Sequence, residues 1–345
     1  MSTVAVPEPG ARVDIGDSRS VFPKKLKNSG FSFYEMGVAL LIALVGSAGC
    51  HGDDPRASSL DPQILTLEDF PAGKDHWNSI RLPDNPRVEK WLNLYRGVQS
   101  NKFADLLVRK ERFDQIIQTH LQMRGMPREL VFIPMIESEY LPQAVSPASA
   151  VGLWQFMGPT AEHLGLRLDP FVDERKDPVR ATEAALDYFA YLHQRFGGSW
   201  YLAAAAFNAG PGRLERVLLR HAADKEWDDE LFWEIDQYLP RETREYVPKM
   251  IAVAKLAREA ALRESPHSQI TPYRYDNIFV PGGTALRSVA NALGVDLESV
   301  LALNPHLTQR VTPPNEMHAV RVPVGTGAVA VAALSKGLPP VRADD

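Results

Sequence analysis

The sequence of 345 residues has little cysteine and no excess of basic residues. Its one cysteine excludes an internal disulfide and any zinc or iron–sulfur site built from cysteines. The chain has 38 Lys and Arg residues against 43 Asp and Glu residues, so its charge does not indicate a nucleic-acid partner. The nine histidines form no H-E-x-x-H motif, so we expect neither a metal ion nor a cofactor. With 45% hydrophobic residues, the chain is typical of a globular protein.

The first 50 residues have the layout of a secretory signal. A basic cluster at residues 24–27 precedes an apolar run at residues 36–45, which has about half of the ~20 residues that a membrane-spanning helix needs. The small residues directly before Cys50 resemble a bacterial lipobox, whose cysteine is diacylated, although Ser47 stands where leucine is usual. Residues 1–50 are therefore predicted to direct export to the periplasm and anchorage to the outer membrane as a lipoprotein. Ordinary export without lipidation, and an inert Cys50, are the alternatives.

The rest of the chain divides into four parts that differ in composition and in the spacing of their apolar residues. Residues 51–85 are polar and rich in proline, which is typical of a tether. In residues 86–264 the apolar positions recur at helical spacing, which predicts a mainly α domain with its catalytic core at residues 125–264. Residues 270–325 read as strand, two helices and strand, a small α+β module, and residues 326–345 as a flexible tail.

Helix limits can be read at several places in the helical domain. Gly125 and Pro127 predict the start of a helix that runs to about Glu139. Asp177-Pro178 has the pattern of an N-cap followed by proline at the first helical position. Residues 200–209 form an alanine-rich helical segment, and residues 242–263 the last long helix.

Glu137 is the first candidate for chemistry. It closes an apolar face of the segment RELVFIPMIESEY, because Leu130, Ile133 and Pro134 precede it at helical spacing. A carboxyl group at the end of such a face is partly desolvated, which raises its pKa towards the range that a general acid needs. A helix-terminal glutamate with its carboxylate in solvent is the alternative. Glu139 lies on a different face and is expected to be solvated.

Four other residues could bind a ligand. Trp154 and Gln155 end a stretch of small residues, and an apolar plate beside an amide suits a sugar with an N-acetyl group. Asn208 adjoins a Gly-Pro-Gly turn, and Tyr246 lies on a helix from which its hydroxyl could reach a carboxylate. Structural alternatives remain for three of them: Trp154 in the core, Asn208 as a helix cap and Tyr246 as a half-buried core residue.

The order and spacing of these segments carry more information than any one of them. Together they resemble the lytic transglycosylase family, with its goose-lysozyme-like catalytic domain. The matching motifs are Glu137-Ser138, Gly152-Leu153-Trp154-Gln155, Ala206-Phe207-Asn208-Ala209-Gly210 and Tyr246-Val247. The resemblance runs from residue 125 to residue 262, and the preceding helices resemble those of the membrane-bound D-type members. Trp154 stands where many members have methionine, and Phe207 stands where tyrosine is usual.

The resemblance implies cleavage of the β-1,4 bond between N-acetylmuramic acid and N-acetylglucosamine in peptidoglycan glycan strands. Such enzymes use no water and release a 1,6-anhydromuramoyl end, with one glutamate, here Glu137, as acid and then base. Most glycosidases instead use two carboxylates. The residues implied to hold the substrate are Ser138, Trp154, Gln155, Phe207, Asn208 and Tyr246.

The C-terminal module resembles a degenerate LysM domain, a βααβ binder of peptidoglycan. The resemblance rests on Gly283-Thr284, Val289-Ala290, Gly294-Val295, Leu303-Asn304-Pro305 and Val320-Arg321-Val322-Pro323. A long insert at Thr308 to Asn315 departs from the family pattern. A module that only packs against the catalytic domain is therefore the alternative to a glycan binder.

Two other functions remain open. A lysozyme-type muramidase on the same scaffold would need a second carboxylate to activate water, and Asp169 and Asp173 are the candidates. A catalytically inactive peptidoglycan-binding lipoprotein would not need Glu137. Asp169 and Asp173, with Glu174 and Asp177, match no family motif, and we expect them to be structural or solvated.

Overall fold

The structure is a computed structural model that describes residues 80–262 and 270–328. All of these residues fall in one compact unit, residues 75–345. The predicted leader with Cys50, most of the predicted tether and the end of the predicted tail lie outside the described residues. In the described part of the chain, no helix has the length and apolar character needed to cross a membrane.

Residues 80–262 fold into a helical domain. Its helices are α1 Pro86–Arg96, α2 Ser100–Met123, α3 Ile133–Ser138, α4 Gly158–His163, α5 Pro178–Arg195, α6 Trp200–Ala209, α7 Pro211–His221, α8 Asp229–Ile235 and α9 Arg241–Ala261. The 3₁₀ turns are Arg128–Phe132, Glu174–Lys176 and Asp236–Tyr238. The mainly α fold class is confirmed.

Helix α6 is the centre of this domain. All its residues from Trp200 to Ala206 are buried, and it packs against α5, α7, α8 and α9. Its four consecutive alanines, Ala203 to Ala206, have no exposed surface, because their small side chains let the neighbouring helices approach closely. The helix spans residues 200–209, as predicted from the sequence.

The helix predicted from Pro127 to Glu139 is divided into two. Residues Arg128–Phe132 form a 3₁₀ turn, and α3 follows from Ile133. Pro134 explains the break, because it has no N–H group to donate to the carbonyl of residue 130 in a continuous α-helix. The catalytic candidate therefore lies on a short, separate helix.

The predicted boundary between tether and domain was too late. Ile80 is buried, and its N–H donates to Glu129 Oε2 at 3.3 Å. The carbonyl of Arg81 accepts a hydrogen bond from the Tyr201 hydroxyl at 2.7 Å, and the Asn85 side chain caps α1. Residues 80–85 are thus part of the helical domain, although their polar, proline-containing sequence is typical of a loop.

Residues 270–328 form the predicted βααβ module. Its elements are β1 Asp276–Val280, α10 Leu286–Leu293, α11 Leu297–Leu303 and β2 His318–Val322. The two strands pair antiparallel, with Ile278 opposite Val320. The N–H groups of Gly325 and Gly327 donate to Asp276, so the packed module extends past the predicted limit at residue 325.

The module and the helical domain share their hydrophobic cores. Phe171 and Val172 of the helical domain pack into the core of the module. In return, Tyr273, Tyr275 and Leu303 of the module pack into the core of the helical domain. A module of this size buries little apolar surface by itself, so this exchange contributes to the stability of both parts.

Candidate active site

Glu137 lies at the end of α3, where the chain reverses sharply. The next two residues after Ser138, Glu139 and Tyr140, both have left-handed backbone conformations, with φ of 54° and 59°. Such conformations are costly for residues other than glycine and require support from their surroundings. The buried hydroxyl of Tyr140 provides it by donating to the carbonyl of Val131. The reversal leaves Glu137 half-buried at the end of a firmly held turn.

Ser138 connects this turn to the next motif. Its hydroxyl is within hydrogen-bond distance of the Pro134 carbonyl, at 3.2 Å, and of the Leu153 carbonyl, at 2.9 Å. The side chain is buried and therefore serves to hold α3 against the segment that contains Leu153. Its position supports a role in placing Glu137 rather than in direct contact with a sugar.

Tyr246 of α9 donates its hydroxyl proton to Glu137 Oε1 at 2.6 Å. This bond joins two residues that are 109 positions apart in the sequence, and both were candidate site residues in the sequence analysis. Burial raises the pKa of the Glu137 carboxyl from 4.5 to about 7, although the Tyr246 hydrogen bond and the charge of Lys249 oppose the rise. Burial and the nearby Glu137 also raise the pKa of Tyr246 well above 10, so its hydroxyl remains a donor. A carboxyl group that titrates near neutral pH can donate and accept a proton in turn.

Two charged residues beside Tyr246 were not selected from the sequence. Glu242 and Lys249 lie four positions before and three positions after Tyr246, which places all three on one side of α9. The negative charge of Glu242 raises the pKa of Glu137, and the positive charge of Lys249 lowers it. Burial lowers the pKa of Lys249 itself, and its ammonium group lies 5.5 Å from the Trp91 ring centroid. The spacing from Tyr246 is the sequence signal that could have identified them.

Asn208 joins the end of α6 to the start of α9. Its side-chain amide donates to Glu242 Oε1 at 3.2 Å, and its oxygen accepts from the Thr243 hydroxyl at 2.8 Å. The side chain therefore bonds to α9 and not to the end of its own helix. Through Glu242, Asn208 belongs to the same polar row as Tyr246.

Gln155 lies in a tight turn that also contains Gly152. Gln155 has φ of 49°, and its side-chain amide donates to the Gly152 carbonyl at 2.8 Å and to the Ala144 carbonyl at 3.4 Å. Gly152 has φ of 87°, and a Cβ atom there would lie 1.8 Å from the carbonyl oxygen of Arg175. Only glycine fits this close approach. The half-buried Gln155 is thus held by the turn rather than left free.

Trp154 does not present its indole to a ligand, which corrects the predicted contact with a sugar. The side chain is fully buried, and Nε1 donates to Thr182 Oγ1 at 3.0 Å. The alternative that places Trp154 in the core is the one observed. Phe207 is only partly buried and stacks on Phe189 with ring centroids 4.5 Å apart. Of the two aromatic candidates, Phe207 retains surface for an apolar contact.

The other carboxylates considered from the sequence are engaged elsewhere. Glu139 forms ion pairs with Lys102 and Arg109 rather than being simply solvated, and the Lys102 hydrogen bond lowers its pKa. Asp169 accepts two backbone hydrogen bonds of 2.8 Å, and Asp173 forms a two-point contact with Arg175 at 2.9 Å. The carboxylate that acts electrostatically on Glu137 is instead Glu242.

A cavity of about 340 Å³ lies between α2, the first 3₁₀ turn and α9. Lys110, Arg128 and Arg258 are among its lining residues, and none of the predicted site residues lines it. It is separate from the Glu137 site. Within residues 80–262 and 270–328, no group of three or more His, Cys, Asp or Glu side chains could hold a metal ion.

Comparison with known proteins matches two families along the chain. Residues 114–229 match the family "Transglycosylase SLT domain", and residues 274–337 match the LysM-like domain of lytic transglycosylase MltD. The first match contains Glu137, Gln155 and Asn208 but ends before α9 and Tyr246.

Among curated proteins, the membrane-bound lytic murein transglycosylase D of Escherichia coli K12 is 35% identical over 179 residues, 52% of this chain and 38% of that protein. The soluble lytic murein transglycosylase of Salmonella typhimurium is 32% identical over 186 residues, 52% of this chain and 26% of that protein. The chain thus spans less than half the length of either relative.

Among solved structures, the 70 kDa soluble lytic transglycosylase of Escherichia coli is 24% identical, with a TM-score of 0.39, over 50% of this chain and 33% of that chain. The family matches and the curated relatives agree with the motifs around Glu137. The chain thus contains a region that matches the transglycosylase SLT domain, followed by a region that matches the LysM-like domain of the MltD type, and it is similar to membrane-bound lytic murein transglycosylase D.

Proposed function

We propose that the protein is a peptidoglycan lytic transglycosylase, a lyase that cleaves the β-1,4 bond between N-acetylmuramic acid and N-acetylglucosamine and forms 1,6-anhydro-N-acetylmuramic acid. The observation that carries the proposal is the Glu137 carboxyl group, which receives the Tyr246 hydrogen bond and has a pKa raised to about 7 by burial. The match of residues 114–229 to the transglycosylase SLT domain and the similarity to lytic murein transglycosylases support the expected substrate class.

In the first step Glu137 acts as a general acid. Tyr246 occupies Oε1, so Oε2 is the oxygen that carries the acidic proton to the glycosidic oxygen. Proton transfer allows the bond from C1 of the muramoyl sugar to this oxygen to break, with the electron pair leaving on the departing sugar. With a pKa of about 7, a large fraction of Glu137 is protonated at neutral pH.

In the second step Glu137 acts as a base. The carboxylate takes the proton of the muramoyl C6 hydroxyl while that oxygen attacks C1, which closes the anhydro ring and restores the protonated Glu137. The nucleophile belongs to the substrate, so its effective molarity is high and no second carboxylate is needed. The Tyr246 hydroxyl stabilises the negative charge that Glu137 carries between the two steps.

Product analysis tests this proposal. Purified peptidoglycan sacculi are digested with wild type, Glu137→Gln and Glu139→Gln, and the glycan ends are identified by mass spectrometry. We expect anhydro ends, which are lighter than reducing ends by one water, and a loss of about 10²–10⁴-fold in rate for Glu137→Gln. Glu139→Gln is the matched control, because Glu139 is two positions away and pairs with Lys102 and Arg109.

The two alternative functions give different outcomes in the same experiment. Reducing ends alone would identify a water-using muramidase. No cleavage by the wild type would identify a catalytically inactive wall-binding protein, and cleavage unaffected by Glu137→Gln would refute the role of Glu137. Asp169 is bonded to Arg167 and the Phe171 N–H, and Asp173 is bonded to Arg175, so neither is free to activate water. These contacts favour the anhydro product.

We also propose that the protein is a periplasmic lipoprotein anchored to the outer membrane through Cys50. Support comes from the basic cluster, the short apolar run and the small residues before Cys50. Metabolic labelling with a fatty acid followed by membrane fractionation tests it. We expect label and membrane association in the wild type and neither in Cys50→Ala, whereas export without label would identify ordinary signal cleavage.

A further inference from the structure

The LysM-like module is bonded to the connection between α4 and α5, residues 164–177. The N–H of Thr308 donates to the Phe171 carbonyl, and the N–H of Asp173 donates to the His306 carbonyl, both at 2.9 Å. Val172 and Leu307 pair between these two bonds. The insert that departs from the LysM pattern begins at Thr308, so part of it serves as a contact with the helical domain.

Arg321 of β2 reinforces this contact with a buried charge. Its guanidinium donates to both carboxylate oxygens of Asp177, at 3.0 Å and 2.8 Å, and lies 4.7 Å from the Tyr275 ring centroid. Arg321 is 8% exposed and Asp177 is 2% exposed. Arg321 is therefore too enclosed to bind a glycan from solvent, and its partner belongs to the helical domain.

The same connection supports the active-site loop, residues 149–156. The Arg175 carbonyl oxygen contacts the backbone at Gly152. The Arg175 guanidinium donates to the carbonyls of Ser149, at 3.5 Å, and Phe156, at 3.4 Å, at the two ends of the loop. Asp173 fixes that guanidinium by a two-point contact, and its own N–H is held by the module.

A second route runs through α5. Asp177 accepts hydrogen bonds from the N–H groups of Val179 and Arg180 and so caps this helix. One turn later, Thr182 accepts the hydrogen bond of the Trp154 indole. Trp154 lies between Leu153, which binds Ser138, and Gln155. The N–H of Asp177 also donates to the Glu174 carbonyl at 3.1 Å, which connects Asp177 to the 3₁₀ turn that contains Arg175. Both routes therefore lead from Arg321, through Asp177, to the loop that holds the turn after Glu137.

We propose that Arg321 is a positioning residue for the catalytic site. By binding Asp177 it fixes residues 173–177, and these fix the active-site loop against the turn that carries Glu137. The module is then a required part of the catalytic domain rather than an independent tether to the wall. The proposal rests on the proposed function, because its measure is the rate of glycan cleavage.

The test uses a short, soluble, peptide-free glycan oligosaccharide, on which attachment to the wall has no influence. Wild type, Arg321→Met, Arg175→Met and the double variant are compared at a temperature at which circular dichroism shows each to be folded. We expect kcat to fall about tenfold in each single variant, since a small displacement of catalytic groups has effects of this size. The double variant should lose no more than the worse single variant, because the two residues act in series.

Hydrogen exchange gives a second measurement that does not depend on activity. Amides of residues 149–156 should exchange faster in Arg321→Met than in the wild type. Glu316→Gln is the matched control, because Glu316 also bonds the module to the helical domain, through Arg167, but on the exposed surface. It should leave both kcat and loop exchange unchanged.

Several results would overturn the proposal. One is a folded Arg321→Met variant whose kcat and loop exchange equal those of the wild type. Another is a double variant whose decrease in kcat is the product of the two single decreases. A third is a decrease in rate that is seen on insoluble sacculi but not on the soluble oligosaccharide. If Arg321→Met does not fold, Asp177→Asn with Arg321→Met removes both buried charges and should show the same tenfold loss; unchanged kcat there would equally refute the proposal. A wild type that forms no anhydro product would instead refute the proposed function.

Discussion

Two carboxyl groups at helix ends, the buried Asp177 and the half-buried Glu137, have opposite electrostatic environments in this protein. Asp177 lies at the N-terminus of α5, where two backbone N–H groups and Arg321 bind it. Burial raises its pKa, but the charge of Arg321, the neighbouring His306 and the hydrogen bonds from Arg321 and the Arg180 N–H together outweigh this and hold the pKa below 3.8. Glu137 lies at the C-terminal end of α3, where a helix offers carbonyls rather than N–H groups, and burial raises its pKa to about 7.

This difference separates a structural carboxylate from the proposed catalytic one. A carboxylate that is fully paired is stable as an anion and has no tendency to hold a proton. A carboxyl group with one tyrosine as its bonded donor can exist in either form near neutral pH. The polar partners around each group, rather than burial itself, therefore decide which role each carboxyl group has.

The largest effect is expected when the buried Asp177 loses its partner. Arg321→Met leaves a buried charge without an ion pair, which should lower the free energy of unfolding by about 3–5 kcal/mol. Urea denaturation at neutral pH measures it. Asp177→Asn combined with Arg321→Met should recover most of the loss, because neither charge is then buried alone. A single variant as stable as the wild type would show that the pair is not buried in solution.

The second effect concerns the pH dependence of stability. Between pH 4.5 and about 7 the folded protein holds a proton on Glu137 that the unfolded chain has lost, so this group lowers the free energy of unfolding as the pH rises. Glu137→Gln removes this contribution. Its stability relative to the wild type should therefore increase by about 2–3 kcal/mol across this range and level off above it.

His306, beside Asp177, should show the opposite dependence. Burial lowers its pKa from 6.5 to about 4, with Arg321 and His318 adding to the effect and Asp177 opposing it. The unfolded chain binds a proton in this window and the folded protein does not, so the group raises the stability as the pH rises. The advantage of the wild type over His306→Gln should then grow between pH 4 and 6.5. Chemical denaturation at several pH values measures both differences, and slopes of the same sign would contradict the comparison.

How much of this could be predicted from the sequence depended on the range of the interactions. Local signals identified the cap at Asp177 and the limits of α6, because each motif is contained in a few neighbouring residues. Glu137 and Tyr246 were only candidates by their local patterns, and their expected roles came from the resemblance of the whole set of motifs. The sequence left the burial of Trp154 open as one of two alternatives, since its partner Thr182 is 28 positions away. The role of Asp177 depends on Arg321, 144 positions away, so the sequence indicated a helix cap but not a link between domains.

A smaller effect is expected from removing the hydrogen bond to Glu137. Tyr246→Phe loses the donor that stabilises the carboxylate, so the pKa of Glu137 should rise further. A hydrogen bond to a charged group contributes about 1.5–3 kcal/mol, so kcat should fall by at least tenfold. The pH at which kcat/KM declines on the alkaline side should move upwards. An unchanged profile with a reduced kcat would indicate that Tyr246 contacts only the substrate.

The smallest effect tests the charges on the same side of α9 as Tyr246. Glu242→Gln removes a negative charge that raises the pKa of Glu137, and Lys249→Met removes a positive charge that lowers it. The alkaline limb of kcat/KM should therefore move to lower pH in the first variant and to higher pH in the second. Glutamine at position 242 can still accept the hydrogen bond of Asn208, so the binding geometry is retained.

A matched control for these charges lies on the same helix. Glu259→Gln makes the same change of charge as Glu242→Gln, but Glu259 pairs with Arg96 near the far end of α9. Its profile should coincide with that of the wild type, because exposed charges more than about 10 Å apart are largely screened at 0.1 M salt. Shifts of the same sign in Glu242→Gln and Lys249→Met would mean that these residues change the geometry of the site. Opposite shifts would show that their charges set the titration of Glu137, the property that distinguishes it from Asp177.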